Sequence, residues 1–282
     1  MKAFPEPPVD GINTWLMSAA RWCQTNGMSN TETANRLLLY DGGLRRRLKT
    51  GEVERAVERV FATTLDRSAL QSRKLELPTW NAKETARLHA EYKVDKDMLR
   101  ESSRDELPET WHPYDILCRL FPDHEGLLCV GESMSRFHTA PLRDHSFLRR
   151  KQLIVPCYMT ARTGLTQEGK VSAHTKANTG PRRYIVCDFD SPPPEQHPSI
   201  IHHLARFRPL TMALSSGGKS IHAWFPTTAN KDDDKLFWRL CITLGADPVL
   251  CRNRSQFVRM PNGTRDNGNR QRRLYLNFSA IP

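Results

Sequence analysis

The 282-residue chain carries 42 Lys and Arg against 31 Asp and Glu, a formal net charge of +11, with 38% hydrophobic residues. That length allows one or two domains with sizeable cores, the apolar content argues against wholesale disorder, and no run approaches the ~20 apolar residues a membrane helix needs. The seven cysteines (Cys23, Cys118, Cys129, Cys157, Cys187, Cys241 and Cys251) are scattered, odd in number and never spaced C-x-x-C, so reduced thiols are expected rather than a disulfide scaffold or a zinc element. Residues 1–8 lack the apolar core of a secretory signal. The expectation is a cytoplasmic, non-membrane protein whose basic balance suits a polyanionic partner, nucleic acid first.

Residues 1–64 read as a small helical module. Asn13 is placed to cap a helix over Thr14–Cys23 that gathers Trp15, Leu16, Ala19, Trp22 and Cys23, with Gly27 as its stop. Ser29-Asn30-Thr31-Glu32 is a capping box opening a helix with Ala34, Leu37 and Leu38, which Gly42-Gly43 breaks. Thr50 opens a third, where Val53, Ala56, Val57, Val60 and Phe61 fall at i, i+3, i+4, i+7 and i+8. Arg45-Arg46-Arg47 gives the module a basic corner, which suits a packing bundle or a nucleic-acid contact. Residues 65–111 crowd charges of both signs around poor apolar periodicity and read as a charged connector, with one helix over Ala82–Tyr92.

From residue 112 to the end the pattern is α+β. A helix is expected over Tyr114–Leu120. Strands are expected at Leu127–Val130, Leu153–Val155, Arg183–Asp190, Leu210–Leu214, Ser220–Phe225, Gln256–Met260 and Arg273–Asn277. A helix over Asp233–Leu244 presents Leu236, Phe237, Leu240 and Leu244, and ends at Gly245. Met159–Pro181, rich in Gly, Thr, Ser, Lys and Asn, reads as a long exposed loop, the kind that often carries function.

Three strings carry chemistry. In Arg183–Asp190, alternation points Ile185, Cys187 and Phe189 one way and Asp188 and Asp190 the other, the two acids about 6.6 Å apart along the strand. A pair of divalent ions suits that span; a strand-end turn before Ser191-Pro192-Pro193-Pro194 accounts for the same acids. In Leu210–Phe225 the turn Ser215-Ser216-Gly217-Gly218-Lys219 joins two strands, and Ser220, His222 and Trp224 share a face. Glycines let a backbone approach phosphate, Lys219 adds charge, and Ser220 and His222 are placed to donate to phosphate oxygens. The turn loosely matches a P-loop, but Ala213 replaces its first glycine and the following residues alternate like a strand instead of opening a helix. In the third string, Asp247 follows a helix end, before an arginine-dense tail: Arg252, Arg254, Arg259, Arg265, Arg270, Arg272 and Arg273 against Asp266 alone. Arg259, entering the turn Met260-Pro261-Asn262-Gly263, suits a phosphate clamp, and the other arginines a sugar-phosphate backbone.

Together these strings resemble the archaeo-eukaryotic primase superfamily, the primase-polymerases, in the type carried by bacteria and mobile elements. Asp188-Phe189-Asp190 is similar to its Asp-x-Asp strand end, Ser220-Ile221-His222 to its Ser-x-His, Asp247 to its third acid, and Arg259-Met260-Pro261-Asn262-Gly263 to its Arg-x-Pro-Gly element. The resemblance covers residues 113–282 and implies a mixed, antiparallel-sheet catalytic domain with an RRM-like core. It further implies template-directed nucleotidyl transfer on single-stranded DNA with NTPs or dNTPs. Asp188, Asp190 and Asp247 would hold two Mg²⁺ or Mn²⁺ ions. Lys219, Ser220, His222 and Arg259 would grip the nucleotide, and Arg162, Lys170, Arg265, Arg270 and Arg272 would contact nucleic acid. A separate replicative helicase is an implied partner, since none is fused here, and no zinc element is expected. A non-catalytic replication-initiation protein on the same fold is the competing reading.

Overall fold

Capping and apolar spacing build the first of two units into which the chain divides, Met1–Glu76 and Leu77–Pro282. The computed structural model describes residues 4–5, 12–40, 48–62, 77–148 and 150–282. Arg45-Arg46-Arg47 and the charged run Asp66–Glu76 lie outside the described residues. In the first unit, α1 (Ile12–Thr25), α2 (Asn30–Leu38) and α3 (Thr50–Ala62) share one core that includes Trp15, Leu16, Ala19, Leu37, Val53 and Val57. The helix α1 begins at Ile12, so Asn13 falls inside its first turn instead of ahead of it. The capping box forms as expected: Ser29 Oγ accepts the Glu32 N–H at 3.2 Å, and Glu32 Oε2 accepts the Ser29 N–H at 2.8 Å.

The second unit mixes helices with antiparallel sheets. Its helices are α4 (Ala82–Tyr92), α5 (Lys96–Glu101), α6 (Pro113–Leu120), α7 (His197–Ala205), α8 (Lys231–Thr243) and α9 (Pro248–Arg252). Its strands are β1 (Leu127–Gly131), β2 (Phe137–Pro141), β3 (Leu153–Ile154), β4 (Gly164–Leu165), β5 (Val171–Ser172), β6 (Tyr184–Asp188), β7 (Met212–Ser215), β8 (Ile221–Pro226), β9 (Val258–Arg259) and β10 (Arg273–Leu276). They pair as β2-β1-β3-β9, as β10-β7-β8-β6, and as the hairpin β4-β5.

The sheet β10-β7-β8-β6 is covered on both faces, which is why every residue of β8 is buried. Alternation along β6 sends Ile185 and Cys187 into a core with Ile200 and Leu204 of α7 and Phe237 and Cys241 of α8. It sends Tyr184 and Val186 into a second core, where Trp224 and Leu214 meet Leu128, Val130 and Ile154 of the other sheet. The end of this inter-sheet face is where the site forms.

Several expectations are corrected. Residues 77–111 are no connector: Leu88 of α4, Val94 between α4 and α5, and Leu99 of α5 are buried in the core with β6 and β8. The Met159–Pro181 segment contains the β4-β5 hairpin and a buried polar knot. In it, Asn178 Oδ1 accepts from the Thr175 N–H at 2.7 Å, while Asn178 Nδ2 donates to Ala161 O at 3.1 Å. The helix α8 starts two residues earlier than expected because Asn230 Oδ1 accepts the Asp232 N–H. Its core residues include Cys241 and Ile242, whereas Leu236 is exposed. No helix follows Lys219; β8 does, which removes the P-loop reading. All seven cysteines are free thiols, and burial pushes those of Cys129 and Cys157 up to about 11 and about 12, respectively, leaving them inert at neutral pH. Among the described residues no helix is long and apolar enough to cross a membrane.

Candidate active site

Register assembles the site. On β6 and β8, Asp188 stands opposite His222, and on β7 Leu214 stands opposite His222 in turn. The strand β6 ends at Asp188, and Asp190 lies exposed two residues beyond that end. His222 is almost fully buried and spends both ring nitrogens on the protein. Its Nε2 lies 3.1 Å from Asp188 Oδ2, and its Nδ1 accepts the backbone N–H of Arg259 at 3.4 Å. That pattern fits the Nε2–H tautomer. The histidine therefore ties the acid on one sheet to β9 of the other, in place of the free phosphate donor expected from sequence.

The third acid arrives by backbone contacts. Phe189 bridges Ala246, and the Asp247 N–H donates to Asp188 O at 2.8 Å. Asp247 Oδ1 accepts the Val249 N–H at 2.7 Å and so caps α9. Burial would raise the Asp188 carboxyl, but the adjacent His222, with Ser220 and His197 behind it, outweighs burial and holds the carboxyl below its usual range. Asp190 is pushed the other way, by desolvation and then by the negative charges of Asp188 and Asp247. The three carboxylates thus feel one another.

Two observations test whether this set suits divalent cations. Asp188 Oδ1 is buried with no hydrogen-bond partner, a costly state for a carboxylate oxygen. Asp190 is held against like charge. A cation relieves both, and carboxylate oxygens are the donors Mg²⁺ and Mn²⁺ prefer. The residues fit. As they stand, they do not close: among the described residues no three His, Cys, Asp or Glu groups are drawn together tightly enough to hold a metal ion.

Around the acids, two cavities of about 490 and 580 Å³ share Asp188, His222, Arg259 and Arg265. The first adds Asp247 and Gln152; the second adds Asp190, His197, Lys219 and Ser220. Arg259 donates to Gln152 Oε1 at 3.1 Å. Desolvation and then the nearby Arg265 charge lower its pKa, with Asp188 and Asp266 opposing. Arg265 lies over the Gly217-Gly218 turn: a Cβ on Gly217 would sit 3.0 Å from Arg265 Cδ, and one on Gly218 2.8 Å from its Nη1. Gly217 also has φ +73°, so Gly217→Ala is expected to cost roughly 1–2 kcal/mol. It should also shift Arg265, read as a lower melting temperature together with weaker nucleotide binding. Ser220 Oγ donates to Ser216 Oγ at 3.0 Å, and Lys219 is exposed at the cavity rim.

The structure thus gathers Asp188, Asp190, Asp247, Lys219, Ser220, His222, Arg259 and Arg265 on one cleft. Arg162 and Lys170 are exposed on the segment carrying the β4-β5 hairpin and border neither cavity, while Arg270 and Arg272 border a different one. Gln152 and His197 went unnoticed in the sequence. Gln152 closes the polar run Arg149-Arg150-Lys151-Gln152 before β3, and His197 sits among the apolar residues of α7, where its Nε2 donates to Pro192 O at 2.9 Å. Comparison of the chain with protein-family models, with curated proteins and with solved structures finds no match.

Proposed function

We propose that the Leu77–Pro282 unit is a nucleotidyltransferase that joins nucleotides on a single-stranded DNA template, a DNA primase or primase-polymerase with an RRM-like core. The observation that carries this reading is the convergence of Asp188, Asp190 and Asp247 from two distant chain segments onto a cleft walled by Arg259 and Arg265. Acids facing cations across a cleft suit a substrate that brings both a triphosphate and a metal. Asp188, Asp190 and Asp247 would hold two Mg²⁺ or Mn²⁺ ions, which when bound supply charge neutralisation of the triphosphate and activation of a 3′-hydroxyl. Arg259, Arg265 and Lys219 neutralise phosphate charge from the opposite wall, and the Gly217-Gly218 turn lets that wall approach closely. His222 orients Asp188. A separate helicase and a cytoplasmic setting accompany this reading, and the N-terminal helices belong to its initiation step.

The same residues support a second reading, a non-catalytic replication-initiation protein that binds nucleic acid. What favours it is that the three acids do not close into a metal-holding set. Incubating the full chain with single-stranded DNA, Mn²⁺ or Mg²⁺ and labelled NTPs or dNTPs separates the two. Metal-dependent incorporation is expected. A gel shift of the DNA with no incorporation in either metal would select the binding protein instead.

A further inference from the structure

The tail arginines divide between two places. Arg259 and Arg265 border the acid cleft, whereas Arg270, Arg272 and Arg273 border a separate cavity of about 70 Å³, with Arg100, Glu109 and Asn262 also in its wall. Arg273 anchors that wall and is only 7% exposed. Its Nε donates to Asn262 Oδ1 at 3.1 Å, its Nη2 donates to Pro108 O, and its guanidinium carbon lies 5.5 Å from the Trp111 ring centre. Its remaining nitrogen, Nη1, is buried and has no partner.

This is an expensive arrangement. A buried guanidinium N–H without an acceptor forfeits hydration that nothing replaces. Desolvation and then the charge of Arg270 lower the Arg273 pKa, against weaker help from Asp115 and Glu109. Four arginines face one glutamate around a space that admits a tetrahedral oxyanion but no nucleoside. An anion offering several acceptor oxygens cancels the mutual repulsion of the arginines around this space, and the planar guanidinium fork matches phosphate in particular.

The cavity is also aligned with the acids. Arg273 pairs with Leu214, Leu214 with His222 and His222 with Asp188, one row across the sheet β10-β7-β8-β6. Three strand spacings put Arg273 about 14 Å from Asp188 along that row. The Ser215 N–H donates to Arg272 O at 2.7 Å, so this wall leads directly into the Gly217-Gly218 turn.

We propose that the cavity bordered by Arg100, Arg270, Arg272 and Arg273 binds a backbone phosphate of a nucleic-acid strand that crosses this end of the sheet toward the acid cleft. The direction toward the cleft rests on the nucleotidyl-transfer reading; the capture of a strand phosphate does not. The test uses the full chain and the double variant Arg270→Gln/Arg272→Gln, which leaves the buried Arg273 in place. Anisotropy of labelled oligo-dT is measured over a salt series, and inorganic phosphate is titrated calorimetrically in parallel. The double variant is expected to keep its melting temperature, bind oligo-dT about tenfold more weakly and show a shallower salt dependence. Arg270→Lys/Arg272→Lys should recover only part of the affinity, because charge returns without the fork. Oligo-dT binding within about twofold of wild type in the Gln variant overturns the proposal. So does phosphate binding that the Gln variant loses while oligo-dT affinity is unchanged, which would make the cavity a site for a free anion. Every readout is binding, so a failure of incorporation, which would sink nucleotidyl transfer, leaves this result standing.

Discussion

Asp188→Asn is expected to lower metal-dependent incorporation by roughly 10³-fold or more, with the melting temperature held within a few degrees. The rate estimate follows from several kcal/mol of charge stabilisation lost with one carboxylate ligand, at about 1.4 kcal/mol per decade of rate. The fold survives because asparagine keeps the shape and retains an oxygen to accept the His222 Nε2–H that now meets Asp188 Oδ2 at 3.1 Å. The substitution also removes one of the two negative charges that raise the Asp190 carboxyl, so Asp190 should titrate at lower pH in the variant, measurable by carbon NMR of its carboxyl. Quenched-time incorporation assays with Mn²⁺ measure the rate. Residual incorporation within about tenfold of wild type would mean that Asp188 is not a ligand of the reacting centre.

What was legible in the sequence is what local pattern encodes. The stripe Val53, Ala56, Val57 and Val60, the Ser29–Glu32 box and the alternation in β6 and β8 depend only on neighbours a few residues away, and each stands as read. The strand β2 escaped because Phe137–Pro141 has no alternation of its own and exists by pairing with β1. The helix α4 was read at Ala82–Tyr92, but its packing and the helix α5 were hidden for a different reason: Leu88, Val94 and Leu99 are isolated apolar residues among charges, so buried contacts leave no periodic trace. In the site, residue types were legible and partners were not. Asp247 is placed by its N–H on Asp188 O, and His222 by the Arg259 backbone, contacts that join segments far apart in sequence. Arginine density marked the tail as anion-binding but held no sign that β10 would carry Arg273, with Arg272 just before it, to the far edge of the sheet from Asp188.

The role of His222 follows from the same contacts and yields the second large effect. His222→Ala should destabilise the second unit by about 2–4 kcal/mol, since the buried Asp188 carboxylate would lose its donor at Oδ2 while Oδ1 already has none. For a unit of this size that is roughly 5–12 °C in melting temperature. The pH dependence has a definite sign. In the wild type the Asp188 pKa is lowered on folding, so its contribution is present above the unfolded value of about 3.9 and lost as pH falls through the lowered folded pKa. Without His222, burial, already the largest single influence on Asp188, loses its main counterweight, the folded pKa rises above the unfolded one, and stability is lost as pH rises through it. The deficit of the variant should therefore be small near pH 4 and grow toward pH 7, checked by thermal melts across that range. A histidine that served only to grip the triphosphate would behave otherwise: its loss would raise KM for the nucleotide and leave the melts superimposable with wild type at every pH. Superimposable melts would therefore reject the bridge between the two sheets as the reason His222 is there.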